Sequence, residues 1–455
     1  MFHFVWVDFS FLSSYRKQYS NSAFLQIVFA VFIVCASYAL GFYMTAVFLQ
    51  GLSMSQYGRL VMAKKLIYIT SSVLLLGTRN VAKHFLLEYR DKNLSKLSSF
   101  IRWHMRYIFV ILLFFYLLYV LALFLLYFFS SKDYIEFGVE LFSVSVSPFY
   151  ALFGIMSIYL LCFGYPLIYN FAQALLGNGV WLLTFFCLLS FQPNITDSWL
   201  IVFVMASTVV SFILVFCIFL FFLYKDLLRV IRLNQVYVID PAWTQNRVYS
   251  LLLDLYFFLP STIVLFISSY FSGYDVSGQI ALCFSIGVFY FLVSASLGPL
   301  KFDHLSAEID YDLGRISHKK NSIDSIFKIV NRVVLILGGV FFGIIFMYGH
   351  QILFLFGQDS QPMYFLLLEV CLSYFLMSCY FPTLNFALIY SGDTKFIARI
   401  EIFMYATLTL LGPWLVLYFG KFYVLHLYLL LQCVQLLLSY FRFRKITDCR
   451  IFSLI

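Results

Sequence analysis

Residues Gly51–Phe85 read GLSMSQYGRLVMAKKLIYITSSVLLLGTRNVAKHF. The stretch starts where the first long apolar run ends and stops where a basic segment begins. Between its ends lies an apolar run of about 20 residues, enough to cross a hydrocarbon layer about 30 Å thick. Lys64 and Lys65 sit side by side inside it, about 9 Å along a helix from Gly58 at a rise of about 1.5 Å per residue. Charge at that depth is costly unless it faces a wet cavity or reaches back to the headgroups, and both placements are open. Two polar stripes run through the stretch: Lys64–Tyr68–Ser71 at i, i+4, i+7, and Lys65–Ser72–Arg79 at i, i+7, i+14. Either is suited to one polar face of a helix packed in a bundle.

The rest of the chain has the same character. It holds 455 residues, 63% of them hydrophobic and 11% charged, where a soluble domain is about 25% charged. So much apolar surface has no place in a soluble fold, and the chain is an all-α, polytopic membrane protein. Its net charge of +9 then reports orientation across a membrane and implies no nucleic-acid partner. Met1–Ser22 carries Arg16 and Lys17, but the following run, Ala23–Gln50, is too long for the core of a cleavable signal peptide. It is expected to stay as the first span. Met1–Tyr15 is aromatic and suits an amphipathic helix lying in the interface. Eight of the nine cysteines fall in apolar runs with no metal-ligand spacing, so they read as apolar filler. No metal and no cofactor is expected. The 57 phenylalanines are spread along every span and read as lipid-facing filler.

Apolar runs mark twelve spans: 23–49, 60–78, 105–129, 139–162, 166–190, 199–223, 249–271, 279–300, 333–349, 363–390, 399–419 and 422–441. With both termini in the cytoplasm, 25 of the 30 Lys and Arg fall on the inner side. The outer side keeps only Arg59, Lys64, Lys65, Lys132 and Lys421. A wrong count would scramble this asymmetry, so the positive-inside rule supports twelve spans in that orientation. Outer loops are short. The longest, about 349–363, holds one charge, Asp359, and leaves no room for a soluble catalytic domain. Asn194-Ile195-Thr196 matches a glycosylation sequon, a match common by chance.

The chain also repeats. Gly58 opens span two and Gly278 opens span eight, 220 residues apart. Gly77 and Gly298 close those spans, 221 apart, and the basic pairs Arg102/Arg106 and Lys328/Arg332 enter spans three and nine, 226 apart. Two six-helix lobes of the same orientation follow: residues 1–224, then a cytoplasmic linker at 225–248, then 249–455 with a cytoplasmic tail. Such repeats are usual in secondary transporters, with the substrate site between them near the membrane midplane.

Ser53–Arg59 (SMSQYGR), a helix, then Leu76–Lys83 (LGTRNVAK) resembles the second helix of polysaccharide and O-antigen flippases. These belong to the multidrug/oligosaccharidyl-lipid/polysaccharide (MOP) exporter superfamily. Gly349–Gly357 (GHQILFLFG) is similar to that family's turn into span ten, and Tyr390–Lys395 (YSGDTK) to its turn between spans ten and eleven. The resemblance covers nearly the whole chain, by pattern more than by motif. It implies a V-shaped, MATE-like pair of lobes in a bacterial inner membrane, flipping a polyprenyl-(pyro)phosphate-linked sugar.

Carrying such a head group through hydrocarbon unaided costs too much. A water-filled cleft between lobes removes most of that cost, and cations lining it hold the phosphate. Lys64, Lys65, Arg79 and Lys301, on spans two and eight, are the best placed. Related flippases are similar in using basic residues on spans one, two and eight, but here span one has no charge between Ala23 and Gln50. Simple positive-inside anchoring also accounts for Arg79 and Lys301. Coupling to H+ or Na+ needs buried acids. Asp254 on span seven, Glu369 on span ten and Glu401 at the start of span eleven are the choices, with Asp254 preferred and Glu401 matching it in depth. A helix N-terminus beside Arg399 equally explains Glu401. Pro260, Pro299, Pro382 and Pro413 lie in or beside the later spans and offer bending points.

No catalytic residues are expected, since no nucleotide loop, Ser/His/Asp set or metal spacing stands out. Two other functions are open: a drug or metabolite exporter of the same superfamily, and a membrane-embedded polysaccharide polymerase working through its outer loops.

Overall fold

In the computed structural model, the lead stretch folds as its chemistry dictates. Ser53 Oγ accepts the Gln56 N–H (3.2 Å) and Gln56 Oε1 accepts the Ser53 N–H (3.0 Å). This capping box starts α2, Met54–Leu75. It ends where two successive residues turn left-handed, Leu76 (φ 44°) and Gly77 (φ 73°). The chain then leaves in a short helix, α3 (Thr78–Lys92), in place of a further span. The structure describes residues 21–129, 138–192, 195–231, 239–244, 247–255, 259–288, 290, 320–358, 360–390 and 394–447. The expected interfacial helix at Met1–Tyr15, Lys301, Pro299 and Gly298 lie outside them.

The remaining helices are α1 (Asn21–Gly51), α4 (Leu94–Phe129), α5 (Gly138–Val144), α6 (Ser147–Cys162), α7 (Pro166–Asn170), α8 (Gly177–Phe191) and α9 (Asp197–Ile231). A π-helical turn, Phe171–Leu176, joins α7 to α8. The second half holds α10 (Arg247–Leu255), α11 (Leu259–Ser272), α12 (Tyr274–Gly287), α13 (Lys320–Leu355), α14 (Gln361–Tyr390), α15 (Thr394–Phe419) and α16 (Tyr423–Thr447). Each of the twelve expected spans is met, in whole or in part, by helix. Seven of the passes among the described residues are long and apolar enough to cross a membrane by length and composition alone. Along α4, Phe109, Leu113, Leu117 and Leu121 form an exposed apolar stripe at helical spacing, the face a lipid-contacting helix presents.

The repeat reappears in the helix bounds. α4 and α13 are both 36 residues long, and both of their ends lie 226 residues apart. α2 and α12 start 220 apart, at Met54 and Tyr274. Both long helices begin well before their apolar runs, so the basic pairs lie inside a helix and not at its mouth. In α4 the reason is packing: Leu97, Phe100, Ile101 and Trp103 are buried against α3.

That cluster also holds the connection between halves. α9 continues past Lys225 to Ile231 because Leu227 and Val230 are buried in the same core. After it, Trp243 is 1% exposed, its Nε1 donating to the Tyr89 hydroxyl (3.3 Å) and its ring packed on Phe100 (5.3 Å) and Trp103 (5.4 Å). Trp243→Ala is expected to cost about 3–5 kcal/mol. A melting curve of the purified protein checks this, and a loss under about 1 kcal/mol would mean that the linker is not anchored here.

Candidate functional site

Gly58, Lys65, Ser72 and Arg79 recur every seven residues; the first three share one face of α2, and Arg79 follows the left-handed break on α3. Contacts of Gly58, Lys65 and Arg79 reach the second half of the chain. A Cβ on Gly58 would stand 2.3 Å from the Tyr274 carbonyl oxygen, and one on Gly278 would stand 2.5 Å from that of Met54. Met54 and Tyr274 are themselves repeat partners, so the crossing of α2 and α12 is reciprocal. Around it, Arg59 bonds Asp197 (2.8 Å) and lies 4.6 Å over the Tyr274 ring, while Tyr57 Oη and Ser285 Oγ share a hydrogen bond (3.2 Å).

Further along the same face, Lys65 Nζ donates to Ser261 Oγ on α11 (3.0 Å). Ser72 is buried. At the far end Gly77 meets the start of α10: its Cβ would stand 2.2 Å from the Arg247 carbonyl oxygen. Just beyond, Arg79 is in electrostatic contact with Asp254 of α10 and with Tyr169 of α7. α2 therefore touches the second half at both ends and in the middle.

The other stripe faces the first half. Lys64 Nζ lies 4.6 Å over the Trp181 ring, a cation–π contact. Tyr68 stacks on Tyr150 of α6 (4.6 Å, 27°), which in turn lies near Arg79. Ser71 Oγ donates to its own helix at the Tyr68 carbonyl (2.8 Å). Both ammonium groups are thus engaged inside the bundle.

The proposed coupling acids stand apart. Asp254 is engaged with Arg79, a residue expected to hold phosphate. Glu369 Oε1 meets His426 Nδ1 of α16 (2.6 Å). Glu401 is 1% exposed on α15, accepting a hydrogen bond from the Tyr405 hydroxyl and standing beside Gln435. Among the described residues no cluster of three His, Cys, Asp or Glu is arranged to hold a metal ion. Trp181, Tyr150, Tyr169 and Ser261 complete the site. No motif marks them, and only their distance along neighbouring spans hints at them.

No protein-family model matches the chain, and no curated protein matches it. Solved structures do. An outward-facing multidrug resistance MATE family transporter of the MOP superfamily aligns with a TM-score of 0.67 at 10% identity, covering 93% of this chain and 95% of that one. An inward-facing MATE transporter of the same superfamily gives 0.62 at 10%, covering 93% and 99%. A MOP superfamily transporter from Pyrococcus furiosus, described as having a binding pocket of reversed polarity, gives 0.63 at 10%, covering 93% and 96%. The chain is an all-α multi-pass membrane protein, and its fold is that of the MATE transporters of the MOP superfamily.

Proposed function

We propose that this protein is a transporter that flips a lipid-linked oligosaccharide, such as an O-antigen or capsule repeat unit, from the cytoplasmic to the outer leaflet of a bacterial inner membrane. One observation supports the reading: Lys64 and Lys65 lie on the 22-residue helix α2, packed between the halves, one ammonium held by Trp181 and the other reaching Ser261 across the boundary between halves. Neither a hydroxyl nor an aromatic face neutralises the ammonium it holds. Arg79 and Lys301 are proposed to extend that basic path.

The two contact zones of α2 supply the gates. Opening the Gly77–Arg247 end exposes the lysines to the cytoplasmic side, where the (pyro)phosphate is drawn in while the polyprenyl tail stays in lipid. Closing it and opening the Gly58–Gly278 end releases the head group outside. An ion gradient of H+ or Na+ drives the cycle through the acids of the second half.

In cells lacking the protein, complete lipid-linked repeat units are expected to accumulate on the cytoplasmic leaflet. Single units that reach the outer leaflet but stay unjoined would make the protein a polymerase. Unchanged lipid-linked sugars would favour drug efflux, the activity named for the MATE structures above. The basic face speaks against cationic drugs, which need acids there. Lys64→Ala/Lys65→Ala is expected to reduce flipping at least ten-fold. Lys132→Ala, Asp275→Ala and Asp359→Ala are expected to leave it intact, and Asp197→Ala to cost the protein under about 1 kcal/mol of stability, as a half-exposed ion pair does. Wild-type flipping by the double lysine variant would remove the basis of this assignment.

A further inference from the structure

The fifth pass is built from α7, the π-helical turn Phe171–Leu176 and α8. That turn reads FAQALL, and its alanines, leucines and glutamine are good α-helix formers, so local preference does not account for the wider winding. Its effect is on register. On a continuous α-helix, positions four apart drift by about 40°, which would carry Trp181 about 120° off the face of Tyr169. A π-helical turn takes in about one extra residue and removes about 100° of that drift. Tyr169, Gln173, Gly177 and Trp181 therefore share one face. The contacts agree: Tyr169 meets Arg79 of α3, and Lys64 of α2 lies 4.6 Å over the Trp181 ring. Among the described residues the backbone of this pass packs closely on α1, α6 and α9 and not on α2. Long side chains cross the space between.

Two amides of this segment are buried without an acceptor: Nε2 of Gln173, and Nδ2 of Asn170, a side chain 7% exposed. Asn178, by contrast, is used. Its Nδ2 donates to the carbonyl oxygen (3.1 Å) and Oγ (3.2 Å) of Ser37, which fixes α8 against α1. Across the π-helical turn Asn170 shares the side of Asn178, so Asn170 stands towards α1 and Gln173 towards α2. An apolar side chain in either place would cost less than an amide with an unmet donor. Gly177 completes the picture. A Cβ there meets nothing within 4 Å. Alanine would suit the helix better, and nothing crowds it out, so the face between Gln173 and Trp181 borders open space.

We propose that this face is a sugar-recognition subsite, in which the Gln173 and Asn170 amides donate to hydroxyl or acetamido oxygens of the sugar next to the phosphate. The ring lies over Gly177, and Trp181 closes the outer end. A sugar ring offers acceptor oxygens around its rim and apolar C–H faces, which matches two free donors, open space and an aromatic wall. The assignment rests on the flippase reading above and divides the work of the site. Lys64, Lys65 and Arg79 take the phosphate, whatever sugar follows it, and the fifth pass reads the sugar. The π-helical turn is the device that brings Gln173 and Trp181 onto the face of Tyr169.

The test uses the full-length protein in lipid nanodiscs. Equilibrium binding is measured for four probes: bare polyprenyl diphosphate, and the same lipid carrying one N-acetylglucosamine, galactose or glucose. The wild type is expected to bind at least one sugar-bearing lipid about ten-fold or more tightly than the bare one. Gln173→Leu and Asn170→Leu each remove a buried, unmet donor, so both should melt at or above the wild-type temperature. Each should cut the preference for the sugar about three- to ten-fold, the worth of one neutral hydrogen bond, and leave the affinity for the bare lipid unchanged. Gly177→Leu fills the open space and should abolish the preference. Leucine variants that keep the wild-type preference overturn the proposal, and so does an equal loss for bare and sugar-bearing lipids. A wild type that binds all four probes alike removes the subsite and leaves the flippase reading to the assay in cells. One that binds none of them removes both.

Discussion

Gly58→Ala and Gly278→Ala are each expected to cut transport about ten-fold or more while leaving the protein in the membrane. A methyl group at either position lands on a backbone carbonyl oxygen of the other helix, at 2.3 Å or 2.5 Å. No rotamer change relieves such a contact, so α2 and α12 must move apart. Overpacking of this kind costs about 1–3 kcal/mol, equivalent to about 5- to 150-fold in the population of the closed arrangement. A transporter that must pass through that arrangement loses rate in proportion. Because both methyls disturb one crossing, the double variant should lose less than the sum of the two. Gly154→Ala and Gly343→Ala are the controls. Their Cβ atoms meet nothing within 4 Å, and alanine gains about 0.5–1 kcal/mol over glycine inside a helix. These two should transport normally and melt slightly higher. Wild-type transport by Gly58→Ala would mean that the crossing is not a gate.

The crossing was legible in part. The spacing of Gly58 and Gly278 identifies them as equivalent positions, because a duplicated helix keeps its small residues where its backbone is crowded. It does not reveal that the two helices cross at those very residues, since a repeat says which positions correspond and not which ones meet. The stripes of α2 were legible in more detail. A seven-residue recurrence on a helix puts Lys65 and Ser72 on one face; Arg79 lies past the left-handed break on α3, yet it and Lys65 each reach a residue of the second half, Asp254 and Ser261. The partners were not legible. Trp181, Ser261 and Tyr169 are ordinary residues of apolar spans, selected by the tilt and depth of their helices. The extents of α4 and α13 were missed for a related reason. Hydropathy ends where charge begins, yet each helix continues through the basic residues. In α4, the buried Leu97 and Phe100 hold the extension in place.

Arg79→Ala is expected to be among the most damaging substitutions, and the reason for its effect can be separated into two parts. Removing one partner of a buried ion pair costs about 3–5 kcal/mol. Arg79 is only half-buried, which puts the loss at the lower end of that range. Part of the damage is thus to the fold, because Asp254 keeps its charge without the guanidinium. Arg79→Met/Asp254→Leu removes both charges and should recover most of the lost stability, as apolar replacement of a whole pair does. Transport should not recover with it if Arg79 also receives the phosphate of the head group. Melting temperature and lipid-linked sugar accumulation, measured on the single and double variants, separate the two roles. A double variant that melts like the wild type and still accumulates lipid-linked sugar makes Arg79 a substrate ligand. One that melts like the wild type and flips normally makes the pair a clamp between α10 and α3, and leaves Lys64 and Lys65 to hold the anion alone. Arg79→Lys sharpens the distinction. It keeps the charge beside Asp254 but loses the planar fork that binds a phosphate bidentately, so it should fold well and transport poorly.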